Sequence, residues 1–197
     1  MLSSTKPIII SAPEPRSLHL IFSAPQLQRL KDTYEIIEIA EDKIHTLDPE
    51  ILRSAKYIIG QPPLSEALLA ELENLRGIFN VESNLIDNMP YETVFSRGIH
   101  VLTTGAVFAL PVAELGLAFA LNLARDVIKA DNDFSKGTEL WGGAGNLNAP
   151  TLSGSEIGIV GFGDVGRALK QLLSGFGCKV KVFDPWLPPS ILRDQGV

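Results

Sequence analysis

Apolar residues recur along the first hundred positions in two rhythms, one close to two residues and one close to four. Residues 18–22 read as a short apolar strand. Ser23 then offers a helix N-cap, Pro25 suits the first turn, and the helical spacing runs to about Asp32. A second strand is predicted over 34–39. Asp48-Pro49-Glu50 opens a short helix, and 56–59 forms a third strand closed by Gly60-Gln61-Pro62-Pro63. Ser65 caps a helix that carries Leu68, Leu69, Leu72 and Leu75 on one face. Residues 77–81 and 99–102 complete the set of strands. Strands that alternate with helices imply βαβ units and a parallel sheet.

The rhythm changes over 110–130. Pro111, Val112, Ala113, Leu115, Leu117, Ala118, Phe119, Leu121 and Leu123 make a helix that is apolar on every side. Such a helix belongs between layers or against another subunit. A glycine-rich stretch, Trp141-Gly142-Gly143-Ala144-Gly145-Asn146, follows it. The change of pattern places a boundary before the long helix, giving one domain over 1–105 and a second over 106–197. The fold class is α/β.

The second domain carries the most specific signal. Glu156-Ile157-Gly158-Ile159-Val160 is a short run suited to a buried parallel strand. Gly161-Phe162-Gly163-Asp164-Val165-Gly166 then forms a glycine-rich turn of the pattern G-x-G-x-x-G. A helix to about Phe176 follows, then an alternating strand over 179–183, then Asp184. In this arrangement Gly161 permits the tight turn, Gly163 lets a pyrophosphate approach the backbone, and Gly166 lets the helix pack close to the sheet. The helix N-terminus presents N–H groups and a positive dipole end to the phosphates. An acid at the end of the second strand accepts hydrogen bonds from a ribose diol and repels a 2′-phosphate. That favours NAD over NADP. A lone glycine pattern is weak evidence; strand, helix, second strand and acid together make it strong. A methyltransferase-type nucleotide site shares the turn and the acid.

Composition narrows the partners. The 197 residues are 45% hydrophobic and 20% charged, with a formal net charge of −6. No basic run marks a nucleic-acid or anionic-membrane surface. The apolar run near the N-terminus is short for a signal peptide, and no stretch reads as a bilayer span of about 20 apolar residues. Cys178 is the single cysteine, so no internal disulfide can form, and its place at a helix-to-strand junction suits a packed side chain. A cytoplasmic setting is expected. His19, in a predicted strand, His45, in a loop, and His100, at a strand start, lie near no acid at triad spacing. No cluster has metal-ligand spacing, and Asp131 and Asp133 read as a solvated turn.

The order of these pieces resembles the D-isomer-specific 2-hydroxyacid dehydrogenases. The match rests on Arg97-Gly98-Ile99-His100-Val101-Leu102, on Val112-Ala113-Glu114, and on Arg125, Trp141 and Leu152-Ser153-Gly154. It continues through Ile157-Gly158-Ile159-Val160-Gly161-Phe162-Gly163-Asp164-Val165-Gly166-Arg167 and Val182-Phe183-Asp184-Pro185. The resemblance implies a flavodoxin-like parallel-sheet lobe followed by the beginning of a Rossmann, doubly wound, NAD-binding lobe. It implies NAD as cofactor, a small 2-hydroxy or 2-keto acid as substrate, and a homodimer. The cofactor residues are then Gly161, Phe162, Gly163, Asp164, Val165, Gly166 and Asp184. A weaker substrate-carboxylate site falls on Val81, Glu82, Ser83 and Asn84.

The resemblance also implies a catalytic arginine, acid and histidine downstream of the fingerprint, so no catalytic residue is assigned within this sequence. The chain is expected to be an N-terminal portion, ending after the second strand of the NAD-binding lobe and inactive on its own. The alternative is a non-catalytic NAD-binding or dimerisation module. Glu82 departs from the glycines usual in the substrate loop; it is either an ordinary exposed acid or a specificity element. Asp164 stands where the family often has a basic residue. It either serves the helix dipole or weakens phosphate binding. Glu114 is expected to cap the long helix, Arg125 to pair with an acid or reach another subunit, and Trp141 to pack a loop.

Overall fold

Three consecutive isoleucines open the first strand, β1 (Ile8–Ala12), and every residue of it is buried. A strand covered on both faces shows no alternation, so its sequence reads as an undifferentiated apolar run. The first strand is therefore here, not at 18–22. Those residues form a single helical turn, α1 (Leu18–Ile21), with only Leu18 buried, and His19 is helical and exposed. In this computed structural model residues 6–147 and 149–197 are described; the first residues of the N-terminal run and Asn148 lie outside them.

The next elements follow their local signals closely. Helix α2 (Ala24–Thr33) carries Pro25 in its first turn, and Gln26 Oε1 accepts the Ser23 N–H at 3.1 Å, half of a capping box. Strand β2 (Glu35–Glu38) leads to a 3-10 turn, Glu41–Thr46, which contains His45. Asp48 caps α3 (Pro49–Ser54) by accepting the Glu50 N–H at 2.8 Å. Strand β3 (Ala55–Gly60) follows. Ser65 Oγ accepts the Leu68 N–H at 3.1 Å at the start of α4 (Glu66–Glu71). This helix stops before Leu72 and Leu75, which remain in the core as irregular chain. Strand β4 (Gly77–Phe79), helix α5 (Tyr91–Ser96) and strand β5 (His100–Leu102) complete the unit Met1–Thr104.

Its five strands are all parallel, in the order β2-β1-β3-β4-β5. Each face of the sheet has its own core. Ile10, Ile58 and Ile78 pack with Leu52, Leu69, Leu72 and Val94 on one side. Ile9, Ile59 and Val81 pack with Leu18 and Leu27 on the other. Chain order reverses between β1 and β3, so the loops leaving their carboxyl ends depart to opposite faces. This is the topological switch point at which open α/β sheets hold ligands. The two strands are close there: a Cβ on Gly60, whose φ is +131°, would stand 1.8 Å from the Ala12 carbonyl oxygen.

The second unit, Gly105–Val197, begins with a long helix, α6 (Gly105–Arg125). It starts earlier than the sequence pattern suggests and carries Pro111 in its interior, so Glu114 sits mid-helix and caps nothing. Among its residues only Ala109 and Ala113 are buried. The helix is long and apolar enough to cross a membrane by length and composition, contrary to the expectation from sequence. One stripe of it packs against the rest of the unit. Leu117, Ala120 and Leu121 meet Leu152, Ile159, Leu169 and Leu173.

Asp126, in the left-handed region at φ 52°, breaks the helical path before α7 (Val127–Lys136). Asp131 and Asp133 are thus helical, and Asp133 accepts from Lys129 at 2.5 Å one turn away. A short helix, α8 (Gly143–Asn146), follows a Trp141 that is 79% exposed instead of packed. Arg125 donates to the carbonyls of Ala149 at 2.8 Å and Pro150 at 3.4 Å and pairs with no acid among the described residues. Strand β6 (Glu156–Val160), helix α9 (Asp164–Leu173), strand β7 (Lys179–Phe183) and helix α10 (Pro189–Asp194) form one parallel βαβ unit and its continuation.

Candidate functional site

The glycine turn of the second unit is built around one buried anchor. Phe162 is fully buried beneath the turn, and the Arg167 guanidinium lies 5.8 Å from its ring centroid. Arg167 Nε also donates to the Phe162 carbonyl at 3.1 Å. Phe162 therefore shapes the turn from below. Gly161, at φ +88°, turns the chain out of β6, and its N–H donates to the Phe183 carbonyl at 2.8 Å. A Cβ on Gly166 would stand 2.4 Å from the Gly161 carbonyl oxygen, so the first turn of α9 lies directly on the loop. A Cβ on Gly163 would meet nothing within 4 Å. The outer side of the turn is open at the position where a phosphate would approach.

Helix α9 has Gly163 as N-cap, with no side chain closing its end. The N–H groups of its first turn, at Asp164, Val165 and Gly166, have no intrahelical acceptor. They fit a pyrophosphate, and Asp164, exposed in the same turn, complements the dipole but competes with an anion for it.

Asp184 is fixed at the end of β7. Its Oδ2 accepts the Phe162 N–H at 2.7 Å, and its Oδ1 accepts the N–H groups of Trp186 at 2.8 Å and Leu187 at 3.1 Å. The Phe162 N–H, followed by that of Trp186, holds its carboxyl below the usual aspartate value, against a smaller opposing effect of desolvation. The acid stays ionised and is oriented by the glycine turn itself. Four of the expected cofactor residues, Gly161, Gly163, Val165 and Gly166, thus lie with Asp184 at the carboxyl ends of β6 and β7. Asp164 adds charge there, and Phe162 contributes its backbone while its ring faces inward.

The first unit presents a second polar edge. Val81 is buried after β4, Glu82 is partly exposed, and Ser83 and Asn84 are exposed. No hydrogen bond joins the N–H groups of Glu82, Ser83 or Asn84 to another described residue. The loop is held by its other groups. Gln61, buried after β3, donates Nε2 to the Asn84 carbonyl at 2.9 Å, and Asn88 Nδ2 donates to the Gln61 carbonyl at 2.9 Å. Glu82 does not stand as a bare charge: Arg16 Nε, from the loop after β1, meets its Oε1 at 3.0 Å.

Buried polar atoms without a partner are costly, at about 1–3 kcal/mol each, and those found in the first unit lie on this edge. Ser11 Oγ on β1, both amide atoms of Asn80 after β4, and Thr104 Oγ1 after β5 make no hydrogen bond among the described residues. The sequence pattern places Asn80 at the start of this loop but does not point to Arg16 or Gln61. With the first strand placed at 18–22, Pro13-Glu14-Pro15-Arg16 did not register as a loop leaving a sheet.

His19, His45 and His100 are all exposed. Among the described residues no three His, Cys, Asp or Glu side chains are grouped to hold a metal ion. Cys178 is partly buried, its Sγ 3.2 Å from the Leu152 carbonyl oxygen.

Known proteins share these features. The sequence profile of the D-isomer specific 2-hydroxyacid dehydrogenase, NAD binding domain, matches residues 117–197. A hydroxypyruvate reductase of Thermotoga maritima is 27% identical over 175 residues, 86% of this chain and 54% of the relative. A D-3-phosphoglycerate dehydrogenase of Bacillus subtilis is 27% identical over 158 residues, 80% of this chain and 28% of the relative. The crystal structure of a phosphoglycerate oxidoreductase from Rhizobium etli superposes with a TM-score of 0.89 at 60% identity, covering 98% of this chain and 60% of that one. The chain spans about half the length of the hydroxypyruvate reductase and a smaller share of the phosphoglycerate dehydrogenase.

Proposed function

We propose, for a chain that belongs to the D-isomer-specific 2-hydroxyacid dehydrogenase family, that it supplies two parts of an NAD-linked oxidoreductase. The parts are the carboxylate-binding lobe and the first nucleotide-binding βαβ unit. The reaction class is hydride transfer between NAD and the C2 of a small 2-hydroxy or 2-keto acid. The observation that carries the reading is the Phe162–Asp184 bond. It ties the phosphate-facing turn to the ribose-reading acid and leaves that acid charged.

NAD, when bound, supplies the hydride acceptor. The residues of this chain bind and orient. The N–H groups at the start of α9 take the pyrophosphate, and Gly163 allows its close approach. Asp184 accepts from the ribose diol and repels a 2′-phosphate. In the first unit the N–H groups of the loop 81–84 hold the substrate carboxylate, with Arg16 offsetting the Glu82 charge beside it. No residue here is assigned to proton transfer.

A homodimer and a cytoplasmic setting belong to the same reading. The solvent-facing stripe of α6, with Leu115 and Phe119 exposed, supports the first. The single cysteine supports the second. The same stripe favours the non-catalytic alternative, an NAD-binding association module, equally well.

Amide NMR of the purified chain tests the proposal. NAD should shift the signals of residues 161–166 and 184, and D-glycerate those of residues 81–84. Absence of the first set of shifts would remove the cofactor reading; absence of the second would remove the substrate reading alone.

A further inference from the structure

A trans peptide group is planar, and its carbonyl and N–H point in opposite directions. Holding the carbonyl of one residue therefore aims the N–H of the next. Two carbonyls of the loop after β4 are held in this way. The Thr104 N–H, after β5, donates to the Glu82 carbonyl at 3.3 Å, and Gln61 Nε2, after β3, donates to the Asn84 carbonyl at 2.9 Å. The Ser83 N–H is then directed away from Thr104, and the Leu85 N–H away from Gln61. Neither N–H has a hydrogen-bond partner among the described residues, and Ser83 and Leu85 are both exposed.

The two clamps differ in kind. The first is main chain and persists through any side-chain substitution. The second is one side chain that arrives from another loop. Gln61 is 8% exposed. Burying a glutamine costs side-chain freedom and hydration, which a hydrogen bond from its amide must offset. That bond goes to the Asn84 carbonyl.

The main chain around Gln61 is anchored as well. Asn88 Nδ2 donates to the carbonyls of Gln61 at 2.9 Å and Pro62 at 3.1 Å, and the Asn88 carbonyl accepts the Leu64 N–H at 2.8 Å. Tyr91 Oη, from α5, lies 2.9 Å from the Ile86 carbonyl oxygen and 3.1 Å from Asn88 Oδ1. The chain is thus fixed at 84, 86 and 88, on both sides of Leu85. A donor fixed before its ligand arrives loses little freedom on binding.

We propose that Gln61 is a positioning residue for the substrate carboxylate: by holding the Asn84 carbonyl it aims the Leu85 N–H as a donor in addition to that of Ser83. The inference rests on the reading that this loop holds the C1 carboxylate, and it extends that site by one residue. Gln61 acts through the peptide plane between 84 and 85 and does not itself meet the substrate. Without its amide that plane is free to turn, and the Leu85 N–H is lost as a donor. The Ser83 N–H, aimed by Thr104, stays in place.

The test is titration of the full chain with D-glycerate, followed by amide NMR, with NADH titration as a control on the second unit. In the wild type the Ser83 and Leu85 signals should move most, ahead of those of Glu82 and Asn84. This pattern needs no variant. Gln61→Leu should weaken glycerate binding by about tenfold, the size of one hydrogen bond to a charged group. It should also abolish the Leu85 shift and keep that of Ser83. Gln61→Asn, whose amide is one methylene too short for the same reach, should do the same, and it serves where the leucine variant fails to fold. NADH affinity should not change in either variant, and thermal melting shows that the first unit remains folded.

Glycerate affinity unchanged from wild type in both variants would overturn the proposal. Joint loss of the Ser83 and Leu85 shifts would overturn it too, since Gln61 would then support the loop as a whole. So would a wild type in which glycerate moves Ser83 but not Leu85. If glycerate moves none of residues 81–85 in the wild type, the carboxylate-loop reading itself has failed. That result is distinct from the others, in all of which the wild type binds at this loop.

Discussion

At the residue scale, the sequence pattern gives the glycines at 163 and 166 different tasks, and the structure separates their surroundings. Gly166 packs against the Gly161 carbonyl, so a methyl group there forces the backbone apart. Gly166→Ala should therefore destabilise the second unit by about 1–3 kcal/mol, the usual cost of overpacking. Gly163 faces open space. Gly163→Val should leave the melting temperature nearly unchanged and weaken NAD binding by about tenfold or more, because the side chain takes the room of the pyrophosphate. Melting curves and titrations of the two variants check the contrast; equal effects on stability would contradict it.

Asp184 makes a pH prediction of the same local kind. Its folded pKa lies below the ordinary 3.8, mainly because of the Phe162 N–H. A lowered folded value means that its stabilising contribution is complete above about 3.8. The contribution is then lost as pH falls through the lower folded value. The carboxyl carbon of Asp184 should titrate below 3.8 in an NMR series, and Asp184→Asn should flatten the acid limb of the second unit's stability curve. A midpoint at or above the ordinary value would show that the backbone bonds are absent in solution.

At the element scale, what was legible in sequence depended on whether local chemistry or tertiary burial set the element. Helix α2, helix α3 and the start of α4 each carry a cap residue that acts within three positions, and each appears where its cap lies. The fingerprint strands and α9 are equally local. Strand β1 was missed because burial on both faces removes its alternation, and α1 was read as a strand because four residues fit either period. The end of α4 was overrun because Leu72 and Leu75 keep helical spacing while leaving the helix. The site followed the same division. The glycine turn lies within one segment of sequence, whereas Arg16–Glu82 joins residues far apart in the chain and shows only once the sheet order is known.

Helix α6 is the element with most surface left to use. Its inner stripe meets α9, while Leu115 and Phe119 face solvent and Leu123 is 80% exposed. Under the homodimer reading this stripe lies against a second copy. Phe119→Glu combined with Leu123→Glu should turn a dimer into a monomer in light scattering, with the helix content retained in circular dichroism. An unchanged mass would place any association surface elsewhere.

At the scale of the whole molecule, each unit brings one polar edge made from the carboxyl ends of parallel strands. The first edge pairs the loop 81–84 with the Arg16 guanidinium, and the second pairs the glycine turn 161–166 with Asp184. Both arise from the same rule of open α/β sheets: loops at the carboxyl ends, not the strands themselves, carry the chemistry. The central claim is that the second edge is an NAD site made selective by Asp184. Parallel titrations of the purified chain with NADH and NADPH, read by nicotinamide fluorescence, test it most directly. The account predicts saturable NADH binding, NADPH binding weaker by about tenfold or more, and near-equal, weakened binding of both in Asp184→Asn. Equal affinity for NADH and NADPH in the wild type, or no binding of either, would contradict it.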